Sequence, residues 1–376
     1  MDGKRERTLA APAALLAAAR SRDVAAVAAC YAEDAIAISP MFGEAHGRDA
    51  IAATWQTLFS TFVDVTVNVA DTMVDENRVA VFAALSTVDK YGWFGRPATG
   101  GTITYRLVLI FTVADGQIVR DERLYDSAGL IERLEKTRLD KELRTAGEVQ
   151  RALVPRTARS GRFCEWMGDS VPSRAIGGDF FEFVELPSGA VGMVLGDVSG
   201  KGPAAALLAA LVQGMFAVEA ATGGSPAELL SRLNTRLVLR HLESRFVTLV
   251  YVILCPDGRL VYANGGHNPP MLLSNGSVRR LDAGGIVLGA LERVTFAEST
   301  VTLQRGDTLV MFTDGVTEAR SPSGEEYGDD RLAAILCGHG SQPSAALLDR
   351  VFADVRAFTH DAEPADDVTV TVARYR

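Results

Sequence analysis

The stretch VGMVLGDVSGKGPAAAL, residues 191–207, changes character twice along its length. It starts as an apolar run that is typical of a buried β-strand, becomes anionic at Asp197, and passes through a glycine-rich turn into a predicted helix at 204–221. A carboxylate at the end of a buried strand must be paired, hydrogen-bonded or bound to a cation, because an isolated buried charge costs several kcal/mol. The neighbouring glycines let the backbone approach a cation and offer it a carbonyl oxygen. The stretch therefore predicts a strand that ends in a polar site.

Three other segments place aspartate at the edge of an apolar strand, beside glycine or a second acid: residues 177–179, 313–315 and 366–369. Few Lys or Arg residues lie close enough in the sequence to pair with all of these carboxylates. A single Asp-Gly pair, such as 115–116 or 257–258, is more typical of a β-turn. Four such segments together, with hard oxygen ligands at strand ends, favour a site for magnesium or manganese.

Five motifs occur in an order that resembles a known family. They are IGGDFFEF (176–183), LGDVSGKGPAAAL (195–207), ANGGHNPPMLL (263–273), MFTDGVTEA (311–319) and DDVTVTVARY (366–375). Together they resemble the metal-dependent protein phosphatase (PPM) family, in its bacterial sigma-regulatory SpoIIE/RsbU branch. The segment LRTAGEVQRALVP (143–155) resembles the helix that precedes this domain in the same branch. The resemblance implies two stacked antiparallel sheets flanked by helices, with the metals in a cleft at one edge.

The resemblance also implies how two Mn²⁺ or Mg²⁺ ions are held. Asp197 resembles the ligand that bridges the two ions, and the carbonyl of Val198 fills the position of a backbone ligand. Asp179 is expected to bind one ion, mostly through water, while Asp314 and Asp366 bind the other. Asp179, Asp197 and Asp314 are therefore the predicted catalytic residues.

The motifs leave the roles of three further residues near them open. Asp367 is expected either to replace Asp366 as the ligand or to orient a metal-bound water. Arg174 is a candidate for a bidentate contact with the substrate phosphate, and an ordinary surface arginine is the alternative. Lys201 is a weaker candidate for the same contact.

The resemblance implies direct hydrolysis of a phosphomonoester. Two adjacent cations lower the pKa of a bridging water, position the phosphate and offset charge on the attacking oxygen, so no phosphoenzyme is needed. Relatives of the eukaryotic type place a His two residues after the bridging Asp, where this chain has Ser199. A metal-bound water or His267 is then the proton donor, although a lone His is more often structural, and His267 is interpreted as organising its loop.

The predicted activity is that of a metal-dependent serine/threonine protein phosphatase. Resemblance to the sigma-regulatory branch implies a phosphorylated anti-anti-sigma protein of the STAS type as its substrate. Two alternatives stay open: a catalytically weak phosphatase fold that binds a regulatory partner, and isomerase activity in the N-terminal region.

The N-terminal region, residues 1–134, predicts an α+β cone. Helices are expected at 12–31 and 49–62, followed by antiparallel strands at 63–69, 78–87, 102–113 and 117–125. The segments ACYAEDAIAISP (29–40), GRDAIAATWQTL (47–58) and DGQIVRDERLYDSAGLIERL (115–134) resemble the SnoaL-like, ketosteroid-isomerase-like family. That resemblance implies a sensor or dimerisation module with a possible small-molecule ligand. The candidate acid–base groups, which are alternatively caps or surface residues, are Tyr31, Asp34, Asp64 and Asp126.

Residues 135–158 are predicted to be a helical linker between this region and a phosphatase domain at 159–376. A set of residues spaced alternately by four and three predicts either a short coiled-coil seam or an amphipathic helix packed on one domain. The set is Leu139, Leu143, Ala146, Gln150 and Leu153. The position between two domains favours a helix that couples them in a homodimer.

Composition limits the class of protein. The chain has 376 residues, of which 48% are hydrophobic and 23% charged, as in a globular protein. Its net charge of -9 argues against binding of nucleic acid. The four cysteines are far apart, which predicts neither a zinc site nor disulfides. Without a recognisable signal peptide or an uninterrupted membrane-spanning run, we expect a cytoplasmic protein.

Overall fold

The computed structural model describes residues 2–92, 97–155, 159–240 and 245–376. The chain divides into two units, Met1–Glu142 and Leu143–Arg376. The division falls inside a single long helix, Ser127–Leu153, which contains most of the segment predicted to be a linker. The end of that predicted linker, 156–158, lies outside the described residues.

The first unit packs helices on one sheet. In chain order its described elements are α1 (Asp2–Ser21), α2 (Val24–Ala29), β1 (Tyr31–Ser39), β2 (Gly43–His46), α3 (Arg48–Thr61), β3 (Val63–Asp75), β4 (Arg78–Val88), β5 (Thr102–Ala114), β6 (Gln117–Leu124) and the first part of α4 (Ser127–Leu153). The strands lie in the order β2-β1-β6-β5-β4-β3. Strands β1 and β6 are parallel, and the other neighbours are antiparallel. The α+β class predicted for this region is confirmed.

The predicted helix at 12–31 is wrong at its C-terminal end. Arg22, with a left-handed φ of 56°, ends α1, and the side chain of Asp23 caps α2 by accepting from the backbone N–H of Ala26 at 2.9 Å. Tyr31 then starts strand β1, which the sequence analysis missed. The alanines around this strand favour helix locally, and pairing with β6 and β2 makes the segment extended.

The second unit contains two sheets. In chain order its described elements are β7 (Arg159–Ser160), β8 (Cys164–Val171), β9 (Phe180–Glu185), β10 (Val191–Val198), α5 (Pro203–Ala221), α6 (Pro226–Val238), β11 (Val247–Leu254), β12 (Arg259–Gly265), β13 (Met271–Ser274), β14 (Ser277–Arg280), β15 (Glu298–Thr302), β16 (Thr308–Phe312), α7 (Asp314–Thr317), α8 (Gly328–His339), α9 (Ser344–Thr359) and β17 (Val368–Tyr375). One sheet has the order β15-β12-β11-β10-β9, and the other β14-β13-β16-β17-β8-β7.

The two sheets of the second unit stack face to face between layers of helices. Alternate residues of their strands form the core between the sheets, among them Trp166, Met193, Val250 and Met311. The opposite face of the first sheet packs against α5 and α6, and that of the second against α8 and α9. This helix–sheet–sheet–helix arrangement is the predicted architecture for residues 159–376, and all its neighbouring strands are antiparallel.

Helix α5 is long and apolar enough to cross a membrane by length and composition, contrary to the expectation that no such run occurs. Half of the apolar stretch of this helix is buried inside the second unit. Its charged residue, Glu219, is also buried and forms ion pairs with Arg232 and Arg236 of α6. These contacts are those of a helix in a protein core.

Phe216 tests this packing. It is fully buried on α5 and makes an edge-to-face contact with Tyr251 of β11, with ring centroids 4.9 Å apart. We expect Phe216→Ala to lower the free energy of unfolding by about 3–5 kcal/mol, because a large cavity replaces the ring. Val218→Ala, on the same helix and 67% exposed, should change it by about 0.5 kcal/mol or less. Urea denaturation of the full chain measures both, and equal losses would contradict the packing described.

Candidate metal centre

Two aspartates lie at one end of the first sheet of the second unit. Asp197 is the penultimate residue of β10, a strand with neighbours on both sides. Strand β9 pairs with it so that Phe180 lies opposite Gly196. Asp179 directly precedes Phe180, and the antiparallel pairing therefore brings it beside Asp197.

Three aspartates lie at the corresponding end of the second sheet. Strand β16 ends at Phe312, and Asp314 opens the short helix α7 two residues later. Its partner β17 begins at Val368, directly after Asp366 and Asp367. Because β16 and β17 are antiparallel, the end of one adjoins the beginning of the other.

Hydrogen bonds join the ends of the two sheets. Asp179 is 7% exposed, and its Oδ2 accepts from the hydroxyls of Thr313 at 2.8 Å and Thr369 at 2.5 Å. Burial raises the pKa of Asp179 well above its ordinary value, and the charges of Asp197 and Asp367 raise it further. Two hydroxyl donors therefore fix the orientation of a carboxylate whose charge is unfavourable where it lies.

Asp367 holds the loop that leads to Asp179. Its Oδ1 accepts from the backbone N–H and the hydroxyl of Ser173, at 2.7 and 3.0 Å. Its Oδ2 accepts from the backbone N–H of Gly178 at 2.6 Å. A Cβ at Gly177 would lie 2.3 Å from this Oδ2, so the loop needs glycine there. Both oxygens of Asp367 are thus occupied by donors of its own chain.

The remaining carboxylates are close enough to repel one another. Burial raises the pKa of Asp197 to about 7, and the charges of Asp314, Asp366 and Asp367 contribute to the shift. Burial also raises the pKa of Asp314, and the negative charge of Asp366 raises it further. Lys201 compensates part of this charge, since its Nζ lies 2.8 Å from Oδ2 of Asp366. The cluster is therefore an anionic site that a cation would stabilise.

The backbone approaches this cluster closely at one point. A Cβ at Gly178 would lie 2.9 Å from the carbonyl oxygen of Val198 and 3.2 Å from Oδ1 of Asp197. Glycine at 178 therefore keeps open the space beside both predicted oxygen ligands.

The donor set fits divalent cations of the magnesium type. In the described residues, no three His, Cys, Asp or Glu side chains are grouped closely enough to hold one ion by themselves. Mg²⁺ does not require such a group, because it keeps several waters and is held through one or two carboxylates. The candidate ligands are all hard oxygens, and bound cations would offset the repulsion among them. The residues thus fit ions bound partly through water.

The two candidate phosphate contacts lie in different surroundings. Lys201 pairs with Asp366 and donates to the carbonyl of Ala365 at 2.6 Å, so it adjoins the aspartates. Arg174 is exposed in the loop between β8 and β9, and no hydrogen bond joins it to the aspartates in the described part of the chain. The structure therefore associates Lys201 more closely with the cluster than Arg174.

Ser199 and His267 both make structural hydrogen bonds. The hydroxyl of Ser199 accepts from the backbone N–H of Phe246 at 2.9 Å. The side chain of Asn264 accepts a hydrogen bond from the backbone N–H of His267 at 2.7 Å and donates one to the backbone carbonyl of His267 at 2.9 Å. Burial lowers the pKa of His267 to about 4, so the ring is neutral near pH 7. These contacts give His267 the loop-organising role that the sequence favours.

The four acid–base candidates of the first unit do not form one site. Asp34 is exposed on β1, and Asp64 is exposed just after the start of β3. Asp126 accepts from the backbone N–H of Gly129 at 2.8 Å at the start of α4, which is a helix cap. Tyr31 is fully buried and donates to Asp121. Three of these candidates are therefore cap or surface residues, as the alternative interpretation expected.

The sequence analysis missed the side chains that hold the metal candidates in place. Thr313 and Thr369 bind Asp179 across 134 and 190 residues of chain. Gln150 of α4 binds the backbone of Gly177 on the same loop. Thr313 and Thr369 lie close to aspartates in the sequence, which was the available signal. The local sequence does not show, however, that both bind Asp179.

Comparisons with known proteins agree with both resemblances that the motifs carry. Residues 187–376 match the family model of Stage II sporulation protein E (SpoIIE), and residues 13–121 match that of the SnoaL-like domain. Among solved structures, the SiaA-PP2C domain of Pseudomonas aeruginosa aligns with a TM-score of 0.56 at 21% identity. It covers 64% of this chain and 99% of that domain, and supports the fold alone.

Two phosphoserine phosphatases of Bacillus subtilis (strain 168) are similar in sequence. RsbU is 28% identical over 240 residues, which cover 63% of this chain and 70% of RsbU. RsbP is 25% identical over 206 residues, which cover 52% of this chain and 48% of RsbP. The chain therefore spans about half the length of RsbP.

The adjacent residues Asp366 and Asp367 give a matched test of the site's geometry. In chelator, we expect Asp367→Asn to lower the free energy of unfolding by about 1–3 kcal/mol, because its amide NH₂ would face an N–H or hydroxyl donor. Asp366→Asn loses one half-exposed ion pair but also relieves its repulsion with Asp197 and Asp314, so it should change the free energy of unfolding by about 1 kcal/mol or less. Denaturant unfolding compares the two variants. A larger loss for Asp366→Asn would show that the donors around Asp367 are misassigned.

Proposed function

The chain belongs to the SpoIIE family, and from that membership and its aspartate cluster we propose a two-metal phosphatase acting on a phosphorylated anti-anti-sigma protein. The serine/threonine protein phosphatase activity follows from the family and from relatives named phosphoserine phosphatases. The observation that carries the two-metal site is the convergence of buried, mutually repelling carboxylates from the ends of two stacked sheets. We also propose that this reaction takes place in the cytoplasm.

We assign the ligands of two Mn²⁺ or Mg²⁺ ions from this geometry. Asp197 and the carbonyl of Val198 would be shared by the two ions. Asp179 would hold one ion mostly through water, and Asp314 and Asp366 would hold the other, also partly through water, since no three of the described carboxylates lie close enough to hold one ion by themselves. Asp366 is preferred to Asp367 because Asp366 is half-exposed, whereas Asp367 is buried and accepts from Ser173 and from the backbone N–H of Gly178. When bound, the pair supplies an activated water and stabilises charge on the transferring phosphoryl group.

The chain's own residues orient this chemistry. Thr313 and Thr369 hold one oxygen of Asp179, so the other remains for a ligand contact. Ser199 is engaged by Phe246, and His267 is buried and neutral near pH 7, so neither is placed to protonate the leaving serine oxygen. That proton comes from solvent in this proposal, which replaces the histidine of eukaryotic relatives.

A groove of about 700 Å³ beside the aspartates favours a protein substrate over a small phosphate ester. It reaches Asp366 and Lys201 and continues past Arg320 and Arg356 along α9. Its lining carries three basic side chains and six acidic ones, so a phosphate bound there would depend on the basic three and on cations at the aspartates. Lys201 is the residue we assign to that contact, while Arg174 remains a secondary candidate.

We further propose that α4 regulates the site. Gln150 accepts from the backbone N–H of Gly177 at 3.1 Å and donates to its carbonyl at 2.7 Å. A Cβ at Gly147 would lie 2.1 Å from the carbonyl oxygen of Ala175, so the helix touches this loop closely. A movement of α4 would therefore displace the loop that carries Asp179. This is how the N-terminal domain would control the phosphatase.

The exposed face of α4 supports a homodimer as part of this proposal. Leu139, Val149 and Leu153 are each more than half exposed on the helix. Apolar side chains left in water on a long helix favour pairing with a second helix. Leu139 and Leu153 lie within about 60° of Gln150 around the helix, so the predicted seam and the contact with Gly177 share one side of α4.

Loss of the bridging carboxylate is the direct test of the proposed activity. With Mn²⁺ and a generic aryl phosphate, we expect turnover by the full chain and its loss in chelator. Asp197→Asn should reduce kcat by about 10³-fold or more, because the bridging ligand is removed. Asp257→Asn, in an exposed turn, is the matched control and should retain activity. Normal turnover by folded Asp197→Asn would end the assignment.

The coupling of α4 to the site can be tested on the same helix. Gln150→Ala removes both hydrogen bonds to Gly177 and should weaken Mn²⁺ activation several-fold, since each is worth about 1 kcal/mol. Glu148→Ala, exposed two residues away, should leave the metal titration unchanged. Titration of activity against Mn²⁺ measures both. Identical curves for Gln150→Ala and the wild type would refute control through this contact.

A further inference from the structure

Thr248 is the neighbour of Asp197 on the next strand of the first sheet of the second unit. The two residues are direct partners in the antiparallel register of β10 and β11. Their side chains therefore lie on the same face of the sheet, with Cβ atoms about 4.5–5.5 Å apart. Two positions further along each strand, Leu195 and Val250 belong to the core between the two sheets. Thr248 thus lies on the inter-sheet face, beside the proposed bridging aspartate.

His267 holds the hydroxyl of Thr248. Nδ1 of the ring lies 2.8 Å from Oγ1 of Thr248. The loop that carries His267 leads from β12 in the first sheet to β13 in the second, and the side chain of Asn264 holds its backbone with two hydrogen bonds. His267 is buried, so its ring has little freedom to turn away from Thr248.

The surroundings of the ring favour the tautomer that carries its proton on Nε2. Burial lowers the pKa of His267 to about 4, and the backbone of Phe312 partly offsets that effect. A carbonyl has this influence when an imidazole N–H points toward it. Nδ1 is engaged by Thr248, whereas Nε2 is buried and forms no regular hydrogen bond in the described residues, so Nε2 is the atom left to carry that proton. Nδ1 is then an acceptor, and the hydroxyl of Thr248 donates to it.

A hydroxyl that donates to His267 keeps its own lone pairs as acceptors. No hydrogen bond joins this hydroxyl to Asp197 in the part of the chain that the structure describes, and burial together with neighbouring aspartates raises the pKa of Asp197. When Asp197 is ionised, both groups on this face accept and neither donates. A water molecule between them can donate to both.

We propose that Thr248 is a positioning residue of the metal centre: its hydroxyl, oriented by His267, accepts from a water molecule held at Asp197 and fixes the orientation of that water. This inference rests on the two-metal site proposed above. Partners that act on a metal centre through one intervening group commonly change its affinity for metal by about 10–100-fold. His267 acts only through Thr248 and stays neutral.

Mn²⁺ titration of the metal-free full chain, followed by calorimetry, tests this role. Thr248→Val keeps the shape of the side chain but removes the hydroxyl, so we expect Mn²⁺ to bind about tenfold more weakly. Thr248→Ser keeps the hydroxyl and should restore the wild-type affinity. Thr300→Val, on the exposed edge strand β15, is the matched control and should bind Mn²⁺ as the wild type does.

The outcomes separate this inference from the proposed function. Wild-type affinity in Thr248→Val, or equal weakening in Thr248→Val and Thr248→Ser, would overturn the role of the hydroxyl while leaving the two-metal site in place. Failure of the wild-type chain to bind Mn²⁺ would refute the two-metal site, and this inference with it.

The tautomer of His267 gives a second test that needs no metal and no variant. In a long-range ¹H–¹⁵N correlation spectrum of the metal-free full chain, His267 should not titrate between roughly pH 8 and pH 5, because burial lowers its pKa to about 4. The ring that behaves in this way should be protonated at Nε2 and unprotonated at Nδ1. A proton on Nδ1 would reverse the hydrogen bond to Thr248 and contradict the proposal.

Discussion

The repulsion among aspartates gathered at one edge of two stacked sheets is the constraint on which the second unit depends. Asp179, Asp197 and Asp314 all have raised pKa values, with burial as the largest cause and a neighbouring aspartate among the next. A fold does not place several carboxylates together in a half-buried cleft unless other groups hold them there. Thr313 and Thr369 do so for Asp179, by hydrogen bonds that cross from one sheet to the other.

The rest of the second unit holds these aspartates in position. The core between the sheets fixes the distance between β10 and β17, and so the spacing of the aspartates at their ends. Asp367 binds the backbone of residues 173–178, and Gln150 binds the same loop from the helix side. The loop is thus held by one residue of the site and by one of α4.

Sequence reasoning was most successful where a local pattern has a single physical cause. The apolar runs that end at Asp197 and Asp314 predicted buried strands with anionic ends, and the structure places both carboxylates together. It failed where tertiary pairing overrides local preference, as at Tyr31, where β6 turns an alanine-rich segment into a strand. The Asp121–Arg123 pair was missed for a related reason. The four charged residues of RDER (120–123) are typical of a solvated strand, but Asp121 and Arg123 are buried, with the guanidinium of Arg123 over the ring of Trp55 on α3.

The central claim is that these carboxylates hold a pair of divalent cations, and the stoichiometry of Mn²⁺ binding tests it most directly. Calorimetric titration of the metal-free full chain should give two ions per chain. The same titration of Asp197→Asn should lose at least one of them while the protein stays folded. Two unaltered sites in that variant, or no Mn²⁺ binding by the wild-type chain, would contradict the account.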